Sequence, residues 1–138
     1  ETFFLTYGDG LSDINLDALL SCHRKSGKTL TVTGVRPPGR FGELQADENG
    51  VVTEFNEKPQ SSGGRISGGF FVCEPKLFDS LPIQDNLVFE DAPVKSLVRS
   101  HELALYEHNG FWQCMDTPRD WQLLNGLLSD GKAPWKVW

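Results

Sequence analysis

The chain has 138 residues, 38% of them hydrophobic and 23% charged, and a net charge of -6. This length suits one domain with a modest core, and the balance is that of a folded globular chain rather than a disordered one. The acidic surplus argues against nonspecific nucleic-acid binding, which needs a basic surface, and no apolar run approaches the roughly 20 residues that span a bilayer. A small phosphorylated ligand stays open, since it needs only a few local donors or a metal. No secretory leader stands ahead of Glu1, so the expected compartment is the cytoplasm. Cys22, Cys73 and Cys114 are widely spaced and odd in number. They fit neither a disulfide framework nor a metal knuckle and read as reduced thiols. The scattered histidines give no zinc pattern.

The opening stretch Thr2 to Tyr7 reads as a strand. It is apolar on consecutive positions, the pattern of a strand covered on both faces as in a parallel sheet. It runs into Gly8-Asp9-Gly10, a carboxylate between two glycines. Open α/β sheets hold their ligands at this carboxyl end of a strand, and the glycines give room for a close approach. Asn15 to Ser26 carries Leu16, Leu19, Leu20 and His23 at helical spacing, with Asp13 or Asn15 as cap and Gly27 as stop. Thr29 to Val35 is β-branched and reads as the next strand, which predicts a β-α-β unit with parallel strands.

The loop Arg36-Pro37-Pro38-Gly39-Arg40-Phe41-Gly42 leads to Glu43–Ala46 and Val51–Phe55. These flank Asp47-Glu48-Asn49-Gly50, a hairpin signal. Gln60 to Arg65 is a polar loop, Ile66 to Cys73 a strand broken by Gly68-Gly69, and Pro75 to Leu81 a short helix with proline in its first turn. A helix is predicted over Asp91 to Ser100, then a strand over Leu103 to His108 and a short extended piece over Gly110 to Met115 that ends in Asp116. Thr117-Pro118 opens a last helix with Leu123, Leu124, Leu127 and Leu128 as its apolar stripe and Gly131 as its stop.

One device occurs twice: a strand that ends in an aspartate, at Asp9 and at Asp116. Two carboxylates converging at one end of a sheet make a hard oxygen site suited to Mg²⁺. The plain alternative for each is a turn residue or helix cap, and Asp116 could simply begin the Thr117 helix. Glu57-Lys58-Pro59 follows a strand. The lysine could bind phosphate and the glutamate sugar hydroxyls, or the two could form an ordinary surface ion pair. Gly68-Gly69 could admit a flat sugar ring or mark a β-bulge. Arg36 and Arg40 could face a phosphate or solvent.

Together, YGDG, PPGRFG, EKP, ISGGFF, GFWQCMDT and APWKVW occur in an order that resembles the C-terminal half of the sugar nucleotidyltransferase family, over essentially the whole chain. PPGRFG, GFWQ-x-MDT and the APWK tail are similar to its glucose-1-phosphate cytidylyltransferase branch. The resemblance implies an α/β chain with a partial Rossmann-like nucleotidyltransferase fold, a mixed sheet with flanking helices. Residues 1–138 are then one domain, the sugar-phosphate-binding half. The implied reaction joins CTP and glucose 1-phosphate into CDP-glucose and pyrophosphate with Mg²⁺.

Residue by residue, it implies Asp9 and Asp116 as metal ligands and catalytic groups, Lys58 as a catalytic and phosphate-binding group, and Glu57 as a sugar ligand. Gly8, Arg40, Gly42, Ser67 and Gly68 complete the substrate-binding set. The family's glycine-rich GGxGTR loop and a K-P-K-P-M-like segment, which wrap the nucleotide, stand ahead of its YGDG strand and are not among these residues. Ser67 stands where the family has asparagine, and Ala92 where it has a second acid. The expectation is a half-site, inactive alone: one half of a split enzyme that takes CTP only with a complementing N-terminal half. The alternative is a non-catalytic truncated module with a role in oligomerisation or protein interaction. An apolar Phe3-Phe4-Leu5 strand whose one edge pairs with the family's preceding half predicts a homo-oligomer, most simply a two-fold dimer.

Overall fold

The computed structural model describes residues 1–37, 42–57, 64–82 and 84–138. In chain order these form β1 (Phe3–Thr6), β2 (Gly10–Ser12), α1 (Leu16–Ser26), β3 (Leu30–Val35), β4 (Gly42–Ala46), β5 (Val52–Glu57) and β6 (Ile66–Cys73). A short 3₁₀ helix (Pro75–Ser80), α2 (Ala92–Arg99), β7 (Leu103–Glu107), β8 (Trp112–Cys114) and α3 (Pro118–Ser129) follow. Among the described residues the strands make a four-stranded sheet, β1-β6-β3-β7, and two two-stranded ladders, β2-β8 and β4-β5. No helix among them is long and apolar enough to cross a membrane.

The sheet corrects the expected β-α-β pairing. β6 lies between β1 and β3 and is antiparallel to both, so the two run the same way without touching. The parallel neighbour of β3 is β7. Burial explains the order. Phe71, Val72 and Cys73 of β6 and Leu30 and Thr31 of β3 are all but inaccessible, as central strands must be. In β1 burial alternates: Phe3 and Leu5 pack on the core while Phe4 is 47% exposed. Hence β1 is an edge strand here, not a strand covered on both faces.

Successive side chains of β3 and β6 serve opposite faces. On one face Leu30, Phe71 and Cys73 meet Leu77 of the 3₁₀ helix and Leu97 of α2, with Phe3, Leu5, Val32 and Leu103 around them. On the other lies α1, whose Leu19 and His23 are buried. His23 Nδ1 is 2.7 Å from Thr31 Oγ1, and its Nε2 is 2.6 Å from Glu74 Oε2. α1 forms where its ends are satisfied: Asn15 Oδ1 accepts the Ala18 N–H, and Gly27, at φ +65°, turns the chain out.

The Asp47–Gly50 turn closes the β4-β5 hairpin, whose register sets Gly42 opposite Glu57. The opening segment contains a strand the sequence reading missed: Gly10–Ser12 pairs antiparallel with Trp112–Cys114. The leucine stripe of α3 is only partly covered. Leu124 is buried, whereas Leu123 and Leu128 stay 46% and 48% exposed.

Candidate functional site

The carboxyl ends of β1, β3 and β7 and the start of β6 lie at one end of the sheet, because Thr6 pairs with Phe70 and Val35 with Ile66. Of the predicted site residues, Gly8, Asp9, Ser67, Gly68 and Asp116 lie around this end. Tyr7 donates its backbone N–H to Gly69 O at 3.0 Å, which ties the Gly8-Asp9 turn to the glycine pair of β6. Beyond that turn the Met115 N–H donates to Asp9 O at 2.8 Å. This contact continues the ladder of Gly10 with Cys114 by one step. Asp9, just ahead of β2, and Asp116, two residues past β8, therefore stand at the same end of the β2-β8 ladder, and both are exposed. A Cβ added to Gly8 would meet no atom within 4 Å, so the turn borders open space.

The glycine pair of β6 is a packing device. Gly69 has φ +75°, and a Cβ there would lie 2.8 Å from the Tyr7 ring. One on Gly68 would lie 2.9 Å from Val35 Cγ1. The Trp112 indole N–H donates to Gly68 O at 2.9 Å, a buried bond that locks β8 onto β6. The β3 register shifts between Val32 and Gly34 opposite this stretch, so the irregularity the sequence suggested is present. Ser67 Oγ accepts the Gly69 N–H at 3.3 Å.

Ser67 also lines a cleft of about 410 Å³ with Gly34, Arg65 and Glu90 at its polar rim and Val32, Phe71 and Leu105 among its apolar walls. Arg65 is held in place: its Nη1 donates to Gly34 O at 3.1 Å and to His108 O at 3.0 Å. Glu90 lies beside Tyr7, whose ring stands edge-on to Phe71 at 5.5 Å. Burial first, then the Glu90 carboxylate, then Asp9 push the ionisation of the Tyr7 phenol well above the usual tyrosine range. Ala92, where the resemblance expects an acid, is the first residue of α2, and Glu90 brings a carboxylate to the cleft from the loop just before it.

Asp116 is not the helix cap. Thr117 is: its Oγ1 accepts the Asp120 N–H at 3.2 Å, and the Asp120 carboxylate returns a bond to the Thr117 N–H at 3.2 Å, closing a capping box. Arg40 and Lys58 lie outside the described residues, as does the 60–63 part of the polar loop. Gly42 and Glu57 are placed as backbone partners across the hairpin. Sequence reasoning missed Tyr7, Glu90 and Asp120. Only the last left a local signal, the T-x-x-D spacing from Thr117.

The carboxylates of Asp9 and Asp116 are hard oxygen donors of the type Mg²⁺ takes. Among the described residues no group of three or more His, Cys, Asp or Glu side chains gathers to hold a metal. Two carboxylates facing open space fit an ion that keeps most of its water and completes its shell on phosphate oxygens.

The mixed sheet with flanking helices is a partial nucleotide-sugar transferase fold. Residues 1–121 match the nucleotidyl transferase family, and the chain belongs to it. Over all 138 residues it is 49% identical to a probable glucose-1-phosphate cytidylyltransferase of Bacillus subtilis (strain 168), covering 54% of that protein. It is 46% identical, again over 138 residues, to the glucose-1-phosphate cytidylyltransferase of Salmonella typhi, covering 53% of it. The chain thus spans about half the length of the curated relatives it matches. A solved structure of a putative glucose-1-phosphate thymidylyltransferase from Bacillus anthracis superposes on 94% of this chain and 55% of its own, with a TM-score of 0.65 at 19% identity; this likeness shows the fold alone.

Proposed function

We propose that these residues form the sugar-phosphate and metal-ligand half of a glucose-1-phosphate cytidylyltransferase site. The reading is supported by the Met115 N–H bond to Asp9 O, which brings the Asp9 and Asp116 stretches together, and by the cleft that Ser67 and Glu90 line. The proposed reaction is in-line displacement at phosphorus. An oxygen of glucose 1-phosphate forms a bond to the α-phosphorus of CTP, the bond from that phosphorus to the bridging oxygen breaks, and pyrophosphate leaves. Bound Mg²⁺ would supply charge neutralisation on the phosphate oxygens.

The chain's own residues would do the rest by positioning. Asp9 and Asp116 hold the cation, Lys58 the phosphate, and Glu57 with Ser67 the sugar hydroxyls. Arg40, Gly8, Gly42 and Gly68 would complete the substrate-binding set. The apolar wall at Val32 and Leu105 would take the sugar's carbon face and keep water from it. The protein would work in the cytoplasm, where its thiols stay reduced.

The 138-residue stretch contains no glycine-rich loop whose backbone donors could cradle a triphosphate. On its own it is expected to release no pyrophosphate from CTP and glucose 1-phosphate with Mg²⁺, in a coupled phosphate assay. Activity is expected to return when a separately made N-terminal half of a relative is added. Turnover by the stretch alone would overturn the half-site reading.

A further inference from the structure

Asp120 is 5% exposed, and its carboxylate accepts hydrogen bonds from a side chain and from two backbone groups. A buried charge is tolerated where donors surround it. Here they come from two directions. Gln113 Nε2, on a side chain 4% exposed, donates to Oδ1 at 3.1 Å, and the backbone N–H groups of Asp116 and Thr117 donate to Oδ2 at 3.1 and 3.2 Å. The same Gln113 amide donates to Cys114 O at 2.8 Å, and the next N–H, that of Met115, is held by Asp9 O at 2.8 Å. Backbone groups of Cys114, Met115 and Asp116 are thus all fixed, and two of the three bonds run through the Gln113–Asp120 pair. A helix cap alone would need only the Thr117 bond.

We infer that Asp120, braced by Gln113, is the positioning residue that sets the Asp116 carboxylate against Asp9. This rests on the reading of Asp9 and Asp116 as a cation site. Asp120 itself touches neither ligand nor cation: it acts through the Asp116 backbone, and residues that orient a ligating carboxylate govern affinity from behind it.

The test is a luminescence titration of the 138-residue chain with terbium(III), excited through tryptophan, beside thermal melts of each variant. Asp120→Ala is expected to weaken terbium binding about tenfold, in the range that loss of a supporting hydrogen-bond partner costs metal sites. Thr117→Ala, which removes the other half of the capping box and leaves the Asp116 bond intact, should lower the melting temperature comparably yet shift terbium affinity by less than about twofold. Asp120→Asn keeps one acceptor oxygen and should restore affinity to within about threefold of the parent. Should Asp120→Ala not fold, Gln113→Met keeps the volume, removes the brace and should weaken binding about threefold.

Equal effects of Thr117→Ala and Asp120→Ala would overturn the proposal, because Asp120 would then be a cap and nothing more. So would an affinity unchanged by Asp120→Ala or, in its place, Gln113→Met. A terbium signal insensitive to both Asp9→Asn and Asp116→Asn would reject the cation site itself, and the positioning role with it.

Discussion

At the scale of single residues, Gly69, Glu74 and Cys73 show how chemistry and packing divide between the ends of the sheet. Gly69 holds φ +75° with the Tyr7 ring over the place a Cβ would occupy. Gly69→Ala therefore meets both backbone strain and a steric clash, and should cost about 1–3 kcal/mol in urea unfolding. At the opposite end, Glu74 accepts from Thr2 Oγ1 and pairs with His23, and these bonds hold its carboxyl below the ordinary value of 4.5. A carboxylate with a depressed folded pKa contributes stability that is complete above its unfolded pKa and is lost as pH falls through the folded one. Melting temperature should drop as pH falls below the ordinary carboxyl value of 4.5, and Glu74→Gln should flatten that acid limb while lowering the plateau near neutrality. Cys73 is inaccessible, and burial, then Glu74, push its thiol up to about 11. In native protein at pH 8, Ellman's reagent should modify Cys22 and Cys114, which are partly exposed, and spare Cys73 until the chain unfolds.

At the scale of elements, the Trp112 indole bond to Gly68 O is what fastens the β2-β8 ladder to the main sheet. Trp112→Phe leaves that buried carbonyl without its donor and should cost about 1–3 kcal/mol, read by chemical denaturation. It should also loosen the Asp9 turn, detectable as faster amide exchange at Met115. Elements with their own end signals were legible in the sequence. α1 shows Asn15 and Gly27, the hairpin its Asp47–Gly50 turn, and α3 its Thr117-Pro118 start. What was not legible depends on partners far along the chain. Gly10–Ser12 is three residues with a glycine, and only pairing with β8, some hundred residues later, makes it a strand. The rank of β1 in the sheet follows from β6, whose Phe71-Val72-Cys73 run is buried on both faces, and no local pattern in β1 states that. Of the candidate site, the aspartates stand out in the sequence because each follows an apolar, strand-like stretch. Glu90 could not, because only the fold brings its loop to Tyr7.

At the scale of the whole molecule, β1 leaves one edge without a strand partner among the described residues, with Phe4 47% exposed. TFFLTY carries no proline, lysine or inward charge to blunt that edge. Trp138 is 84% exposed, while Trp135 packs on Phe111 at 5.7 Å. Self-association through β1 is therefore expected: light scattering at micromolar concentration should show a dimer, and Phe4→Lys a monomer. A monomeric parent chain would contradict that expectation without touching the site.

The site is tested most directly by calorimetric titration of the chain with glucose 1-phosphate and, separately, with CTP, each with Mg²⁺. Binding of glucose 1-phosphate is expected, abolished by Asp9→Asn combined with Asp116→Asn, with no heat from CTP. CTP binding by this chain alone, or no binding of glucose 1-phosphate, would contradict the assignment of a sugar-phosphate half-site.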